Sequence, residues 1–503
     1  MQSRRDQVQA YTFVVGRLTT GMLAADPDAL DPPMSRTRRG ATTGLIIGVL
    51  LCVGFLLFGL ISPGESTAWR KPGTLIMEKE TGARYVFGDG VLRPVVNYAS
   101  GKLVTGGQGE MLSVGRASLA DVPRGAPIGI PGAPDSLPDA AQFSDHAWQV
   151  CATSRTAADG STESTTTVGV AAAASTAPAL RSDQALPATG PDGVTYLLWQ
   201  GKRLRLDSAH GALQSLGYGT ADPVRVGSAF LAAVPAGPDL APQEVEGRGE
   251  TGPQLAGEKR RVGQLFDVRT PGSPDQHYLL GRDGLHPLTV TGAQLLHGDP
   301  RTAKDAYGGK EAVATVLGPD EARAHLAPKD GAGPAAGLPA TPPKDVTRQA
   351  GTVPCLRVTP QGGTPDQQLT QVPVRYAVGQ PAAERDGVTA GCPAPELIGA
   401  RPGFGVLAEP LPSGAGSGTR YLVTGEGIKY PLASADAAKR LSYDGVEPVR
   451  LPSALLRLLP TGPVLDPARA ARPADAGPAA KPDPGCANAA AAGKGVQKGG
   501  ASG

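Results

Sequence analysis

The hydrophobic pattern of the chain is dominated by one long apolar run near its beginning. Residues 41–61 read ATTGLIIGVLLCVGFLLFGLI and carry no charged side chain. A helix of this length, at about 1.5 Å per residue, crosses the ~30 Å hydrocarbon core of a bilayer. A cleaved signal peptide is the alternative, but the leader before the run and the run itself are both too long for one. The pattern therefore predicts a transmembrane helix.

A weaker periodicity precedes this run and predicts an amphipathic helix. Apolar residues recur at spacings of three and four, Ser3 is a suitable N-cap, and the Asp-Pro pair at residues 26–27 ends the pattern. The apolar face consists of Val8, Tyr11, Val15, Leu18 and Met22. This face either docks on another cytoplasmic or membrane protein or rests on the membrane surface, and the two interpretations weigh evenly.

The charges beside the apolar run predict its orientation. Arg36, Arg38 and Arg39 stand just before it, and fewer positive side chains follow it closely. Because positively charged flanks stay on the cytoplasmic side, the N-terminus is predicted to be cytoplasmic. The chain after residue 61 is then extracytoplasmic, in a single-pass protein of the cell membrane.

The extracytoplasmic part contains an internal duplication. Residues 196–242 align without a gap on residues 421–467, at an offset of 225, with 16 identities in 47 positions, and several of these are prolines and glycines in register. A further copy covers residues 85–125, and a shorter one begins at Tyr278. The sequence therefore predicts four repeats.

Each repeat has the pattern of a small α+β unit. It opens with Tyr and two apolar residues, continues through a Gly-containing turn, and reaches a second apolar pair, which is typical of a β-hairpin. A short helix is expected next; in the last copy Ser434 can cap residues 435–441. A unit of about 45 residues is too small to bury a good core alone, so the copies are expected to pack on each other or on a central scaffold.

These patterns predict an α+β fold in which a single transmembrane helix is followed by four small repeats and a central, mainly β domain. The predicted segments are 1–40 (cytoplasmic, with the amphipathic helix), 41–61 (transmembrane helix), 62–126 (first repeat), 127–194 (central-domain part and flexible insert), 195–242 (second repeat), 262–316 (third repeat), 317–350 (flexible insert), 351–418 (central-domain part), 419–467 (fourth repeat) and 468–503 (disordered tail).

Composition and charge change this picture in two ways. The chain has 69 Gly and 49 Pro among 503 residues, so part of it must be linker. Residues 153–192 and 317–350 are rich in small and polar residues and are predicted to be flexible, like the tail. After residue 61 the positive and negative side chains balance, which excludes the basic surface that binding to nucleic acid requires.

The sequence predicts no catalytic, cofactor-binding or metal-binding residues. No GxxxxGK[ST] phosphate-binding loop and no GxSxG motif occur. Residues 247–252 spell GxGxxG but run into Pro253 and are predicted to be a linker. The histidines show no metal-ligand spacing, and surface or turn positions are predicted for them; they are His146, His210, His277, His286, His297 and His325.

Four of the five cysteines fall in the predicted outer region, where thiols oxidise. They are Cys151, Cys355, Cys392 and Cys486, and Cys52 lies in the predicted membrane helix. Four cysteines allow three pairings, and the residues alone do not choose among them.

The order of these features resembles the EccB family, the single-pass membrane component of type VII (ESX) secretion systems. The resemblance extends from Gln2 to about Pro467 and is most specific at the N-terminus. The residues that carry it are Arg4 to Tyr11, Arg17-Leu18, the basic run, Pro72-Gly73-Thr74, Tyr85, Gly129 to Pro134, Trp148 to Cys151, Leu458-Leu459-Pro460 and Gly462-Pro463. The chain departs from the family in its low-complexity inserts, its tail, Cys392 and Cys486.

The resemblance implies an elongated extracytoplasmic domain, with four repeats placed around a central domain in quasi-two-fold symmetry. It implies a disulfide in that central domain, placed here on Cys151 and Cys355. It also implies the EccC motor ATPase and the membrane subunits EccD and EccE as partners, in an oligomeric complex that exports small effector proteins. The alternatives are an ATP-hydrolysing secretion component, for which ATP would be the cofactor, and a module that binds the cell wall.

Overall fold

The computed structural model describes residues 3–24, 34–61, 67–107, 111–156, 160, 162–171, 177–328, 337–346, 349–382, 384–411 and 418–474. The predicted helix stop at residues 26–27 and the tail from residue 475, with Cys486, lie outside these ranges. The described residues form two compact units: those within 1–70, 78–81 and 113–122 make up the first, and those within 71–77, 82–112 and 123–503 the second.

Two long helices come first in the chain, and short helices and strands alternate after them. The α-helices are α1 Arg4–Ala24, α2 Met34–Ile61, α3 Tyr98–Thr105, α4 Arg116–Leu119, α5 Ala212–Ser215, α6 Ser228–Ala233, α7 Val290–Gly298, α8 Pro319–Ala324, α9 Ala435–Arg440, α10 Ser453–Arg457 and α11 Pro467–Ala470. The β-strands are β1 Leu75–Glu78, β2 Arg84–Gly88, β3 Val91–Pro94, β4 Leu112–Val114, β5 Trp148–Thr156, β6 Thr162–Gly169, β7 Gln184–Thr189, β8 Thr195–Trp199, β9 Lys202–Arg205, β10 Val224–Arg225, β11 Thr251–Leu255, β12 Glu258–Arg261, β13 Leu265–Val268, β14 Gln276–Leu280, β15 Leu285–Leu288, β16 Thr315–Leu317, β17 Lys344–Asp345, β18 Thr352–Thr359, β19 Asp366–Pro373, β20 Leu397–Gly399, β21 Val406–Leu411, β22 Tyr421–Val423, β23 Lys429–Pro431 and β24 Val449–Pro452.

The first unit contains the two long helices. At the start of α1, the backbone N–H and the hydroxyl of Ser3 both donate to the Asp6 carboxylate, at 3.1 and 2.9 Å. Such a carboxylate in the first turn satisfies a donor that the helix leaves free and favours a helix start at this point. In the same unit, Arg116 pairs at 2.7 Å with Glu78, whose side chain is 3% exposed.

The helix α2 begins earlier than the apolar run that predicts it. It spans Met34–Ile61, so Arg36, Arg38 and Arg39 lie in its first turns rather than before it. The thickness of a bilayer limits only the apolar length, and arginine is itself a good helix former, so backbone hydrogen bonding continues into the basic segment.

Three sheets of the second unit share one strand order. They are β9-β8-β7-β10, β15-β14-β13-β16 and β23-β22-β21-β24. In each, the first three strands in chain order are antiparallel neighbours, and the fourth returns parallel to the first after a helix: α5, α7 or α9. The strands β1, β2 and β3 are likewise antiparallel and are followed by α3.

The predicted hairpins are present at the duplicated positions, but each sheet has an additional strand before its hairpin. The pairs β8–β9 and β22–β23 form the hairpins. The preceding strands β7 and β21 lie ahead of the Tyr residues at which the repeats were predicted to open.

The two inserts that were predicted to be flexible contain regular structure, which corrects that prediction. Within 153–192 lie the end of β5, all of β6 and all of β7, and within 317–350 lie α8 and β17. In 153–192, a composition rich in threonine is as compatible with a β-strand as with a flexible segment. In a sheet the β-branched threonines of β6 pack well on a pleated, half-buried surface.

A five-stranded sheet is assembled from distant parts of the chain, in the order β19-β18-β5-β6-β20. One of its faces carries Trp148, Val150 and Leu356, which form a single buried cluster with Phe230 of α6 and Leu456 of α10. Two helices from two different sheets thus pack on the same face of this sheet, and apolar burial holds them there.

The helices α3 and α9 also lie close together. The Arg440 guanidinium donates to the Leu103 carbonyl at 3.1 Å. A Cβ atom at Gly107 would lie 2.2 Å from the Arg440 carbonyl oxygen, and Gly107 has a φ of +69°. Only glycine meets both conditions without strain, so this residue sets how closely the two helices approach.

Candidate functional site

The helix α2 is the candidate membrane anchor. Its 19-residue window Arg39–Leu57 has a mean hydropathy of 2.2, and none of it is buried within the protein. An exposed apolar helix of this length has the composition required of a membrane span. Among the described residues it is the one helix that meets this criterion.

The five predicted docking residues are all exposed along α1. They are Val8, Tyr11, Val15, Leu18 and Met22, with exposures from 43% for Val15 to 86% for Met22. Phe13 and Val14 are exposed as well, at 68% and 53%. The periodicity missed these two because they lie off the main apolar stripe: Val14 lies beside the stripe and widens it, whereas Phe13 lies on the opposite side of the helix.

A disulfide joins Cys151 to Cys355 across the adjacent strands β5 and β18. The two residues are directly opposite each other in the antiparallel register and are buried, at 1% and 0% exposure. They lie on the face of the five-stranded sheet opposite to Trp148, because side chains alternate along a strand. This is the pair that the family resemblance implies. Cys392 is also disulfide-bonded.

A buried ion cluster connects the glycine-rich turn at residues 247–252 to the end of α7. The guanidinium of Arg248 pairs at 2.7 Å with the fully buried Asp299 carboxylate, and Arg301 pairs with the same group at 3.1 Å. Burial opposes ionisation of Asp299, but hydrogen bonds from Arg301 and Arg248 outweigh it and lower the pKa of this carboxyl. The sequence predicted a linker here; the structure makes the turn part of a folded core.

Two cations occupy matching places at the ends of two short helices. Lys429 is buried, and its ammonium donates to the carbonyls of Leu456 and Leu459, at 2.7 and 2.9 Å, at the end of α10. The Arg203 Nε donates to the Val234 carbonyl at 3.0 Å, directly after α6. Each cation satisfies carbonyls that a helix end leaves free and complements the helix dipole. The sequence repeat did not identify these two cations, because in the alignment with an offset of 225 each of them stands opposite an apolar residue.

The histidines make local contacts. His277 pairs with Asp267 at 2.8 Å and His286 with Asp283 at 2.7 Å, and His210 contacts Asp207 three residues away. The hydrogen bond from His286 is the largest effect on Asp283 and lowers the pKa of its carboxyl. Across the described part of the chain, no group of three or more His, Cys, Asp or Glu side chains is arranged to hold a metal ion.

Comparison with known families gives one match that covers almost the whole chain. The model of the family described as "Type VII secretion system ESX-1, transport TM domain B" matches residues 1–479. Among curated relatives, the ESX-3 secretion system ATPase EccB3 of Mycolicibacterium smegmatis is 27% identical over 479 residues, which cover 92% of this chain and 89% of the relative. The ESX-2 secretion system ATPase EccB2 of Mycobacterium tuberculosis is 30% identical over 325 residues, 63% of this chain and 62% of the relative.

Solved structures have the same fold. The EccB3 dimer from the ESX-3 core complex superposes with a TM-score of 0.61 at 25% identity, covering 79% of this chain and all of that one. A chain of the intact ESX-5 inner membrane complex superposes with a TM-score of 0.61 at 23% identity, covering 96% and 97%. The likeness therefore includes the N-terminal helices as well as the large β-rich domain.

Proposed function

Because the chain belongs to the EccB family of type VII secretion systems, core components of ESX inner-membrane complexes, we propose that it acts as a structural subunit that holds the translocon together while small effector proteins are exported. The observation that carries this proposal is the family match over residues 1–479, which takes in the membrane helix and the β-rich domain together. An anchor and a large rigid outer domain on one chain are the parts that a scaffold needs.

The outer domain consists, in this proposal, of four repeats around a central domain, arranged with quasi-two-fold symmetry in an elongated body. Support comes from the strand order that three sheets share and from the 225-residue offset in the sequence. The five-stranded sheet is the proposed central domain, since residues of α6 and of α10 both join the buried cluster on one of its faces. Repeats that bury their apolar faces against neighbours give a stiff array.

In this proposal the N-terminus lies in the cytoplasm and the β-rich domain outside, as the basic start of α2 favours. We expect a membrane-impermeant maleimide to label an introduced Arg323→Cys, where the parent side chain is 77% exposed, in intact cells. It should leave Gln9→Cys unlabelled until the cells are permeabilised. The labelling of each variant is compared with that of the parent chain, and only the excess is counted. The reverse pattern would contradict this orientation.

The helix α1 is the proposed docking element for the other membrane subunits, EccC, EccD and EccE. Its apolar side chains have no covering within the described structure, and a scaffold must contact the motor on the cytoplasmic side. We expect Val15→Asp with Leu18→Asp to abolish co-purification of these subunits with the full chain, since two charges would then have to be buried at the contact.

The matched control for this experiment is Phe13→Asp. It makes the same kind of change on the opposite side of α1, where the docking face does not extend, so co-purification should be retained. If the doubly substituted chain still brings down the other subunits, α1 rests on the membrane surface instead. If the control also loses them, the effect is not specific to the face.

We further propose that the outer domain associates with other copies of itself and contacts the cell wall. A dimer is known for the related EccB3, and its fold extends over most of this chain. ATP hydrolysis is assigned to the EccC motor. The names of the relatives include the word ATPase, but a phosphate-binding loop of the Walker type is absent from this sequence.

A further inference from the structure

The helix α11 positions the last described residues of the chain. Its first turn is capped by Asp466, whose carboxylate accepts a hydrogen bond from the Ala468 N–H at 3.0 Å. Ala470 is fully buried, in one cluster with Ala99 and Leu103 of α3. The end of the chain therefore packs on a helix that lies far earlier in the sequence, and apolar burial holds it there.

After α11, the described chain ends in a short antiparallel pairing with residues 127–129. The Ala474 N–H donates to the Pro127 carbonyl at 2.9 Å, and the Gly129 N–H donates to the Arg472 carbonyl at 3.2 Å. Two backbone hydrogen bonds are a weak attachment, because chain ends open readily unless they are tied down. A second attachment beyond Ala474 would keep this pairing closed.

The backbone around Cys392 is fixed at the end of α10. The Cys392 N–H donates to the carbonyl of Arg457, the last residue of that helix, at 2.9 Å. Close by, Thr389 and Thr461 exchange two backbone hydrogen bonds, each of 2.8 Å. Cys392 itself is half-buried. Its sulfur therefore has a defined place in the fold and is not sealed inside the core.

The segment before Cys392 lies beside the segment that holds the chain end. A Cβ atom at Gly132 would lie 2.5 Å from the Asp386 carbonyl oxygen, so the two backbones touch. Nine residue steps and two backbone contacts separate Arg472 from Cys392, at most about 45 Å with the chain fully extended. The 14 residue steps from Arg472 to Cys486 reach about 50 Å. Cys486 can therefore reach Cys392 without opening the pairing.

The cysteines of the chain leave one partner for Cys392. Cys392 is disulfide-bonded, whereas Cys151 and Cys355 are bonded to each other and Cys52 is a free thiol. The fifth cysteine of the sequence is Cys486, which lies outside the described residues. Within one chain it is the remaining thiol to which Cys392 can be joined.

We propose that Cys392 and Cys486 form a second disulfide, which ties the tail to the end of α10 and holds residues 472–474 on residues 127–129. The bridge fixes the chain on both sides of the short pairing, so that opening the pairing releases less conformational freedom than it would at a free chain end. The disulfide that the family resemblance implies is a different one, and this second bridge belongs to this chain's own sequence.

Formation of the bridge is a two-electron oxidation. A bond forms between the two sulfur atoms, and the two electrons and two thiol protons pass to the disulfide of an extracytoplasmic thiol–disulfide oxidoreductase, which becomes a dithiol. The second bridge depends on the proposed position of the β-rich domain outside the membrane, where such oxidants keep cysteines paired.

Peptide mapping tests the pairing on the full chain. The chain is extracted in detergent with N-ethylmaleimide to block free thiols, digested with trypsin without reductant, and analysed by mass spectrometry. We expect the peptide that contains Cys392 to be linked to the one that contains Cys486. Alkylated Cys392, or Cys392 linked to a second copy of the chain, would overturn the proposal. If the Cys151–Cys355 bridge is missing as well, the extracytoplasmic position of the domain is also wrong.

The variant Cys486→Ser tests what the bridge does, because it changes no residue that the structure describes. We expect the amide hydrogens of Gly129 and Ala474 to exchange at least about tenfold faster than in the parent chain, since the pairing then lies at a free chain end. Cys392 should become reactive to N-ethylmaleimide. The matched control Cys52→Ser removes a thiol that is already free and should change neither readout. Equal exchange in Cys486→Ser and the parent chain would show that the pairing does not depend on the bridge.

Discussion

Replacement of Cys151 and Cys355 together by alanine should lower the free energy of unfolding of the outer domain by about 3–5 kcal/mol. The disulfide closes a loop with a sequence separation of 204. The chain-entropy estimate for a loop of that length is roughly 5 kcal/mol, and engineered or native bridges often give somewhat less. The bridge joins two chain segments that form the adjacent strands β5 and β18 of one sheet. Its loss should therefore destabilise these two strands first.

Urea denaturation followed by tryptophan fluorescence measures this effect, because Trp148 is fully buried three residues from Cys151 in the same strand. The control is Cys52→Ala, which changes a free, exposed thiol and should alter stability by less than about 0.5 kcal/mol. Equal unfolding midpoints for the double variant and the parent chain would show that the sheet is specified by its packing alone.

The features that sequence could predict are those set by short-range patterns. The apolar run predicted the helix α2, the candidate membrane span, since 21 consecutive uncharged residues have few other uses. The pattern of Tyr, apolar residues and a Gly turn gave the hairpins β8–β9 and β22–β23. The cap at Ser434 is present as well, with its side chain accepting from the Ala437 N–H at the start of α9. Each of these depends on residues only a few positions apart.

The strands that sequence missed depend on distant partners. The strand β7, Gln184–Thr189, contains Pro187 and few large apolar residues, and it becomes a strand because β8 and β10 pair with it on either side. The strand β21 contains Pro410 and is fixed in the same way by β22 and β24. Strand propensity is decided largely by such neighbours, which a local window does not contain.

The five-stranded sheet could not be predicted for a similar reason. Its strands come from distant parts of the chain, and Cys151 of β5 and Cys355 of β18 are 204 residues apart. No spacing rule connects Gln149 to Arg357; only the sheet register places them side by side. The ion cluster around Asp299 could not be predicted either. The turn that supplies Arg248 has the sequence of a linker, and only its contact with the end of α7 shows that it belongs to the folded core.

Asp299→Asn should destabilise the region around α7 by about 3 kcal/mol at pH 7, because it leaves the buried Arg248 guanidinium, 7% exposed, without its countercharge. The effect should depend on pH. The pKa of Asp299 is held below its ordinary value of 3.8, so its contribution to stability is complete above that pH and is lost as pH falls through the lower, folded-state value. The difference between the parent chain and the variant should therefore shrink in acid.

Amide hydrogen exchange gives the local measurement, because the N–H groups of Gly249 and Val262 are bonded beside the cluster, at 2.9 and 3.0 Å. The matched control is Asp320→Asn, which removes an exposed partner of Arg323 in α8 and should cost less than about 1 kcal/mol at any pH. If both variants exchange alike, or if the loss at Asp299 is the same in acid as at pH 7, the carboxylate is not the charge that holds this core. A loss confined to Asp299 and to neutral pH would instead identify the turn at residues 247–252 as a structural element whose order depends on one buried carboxylate.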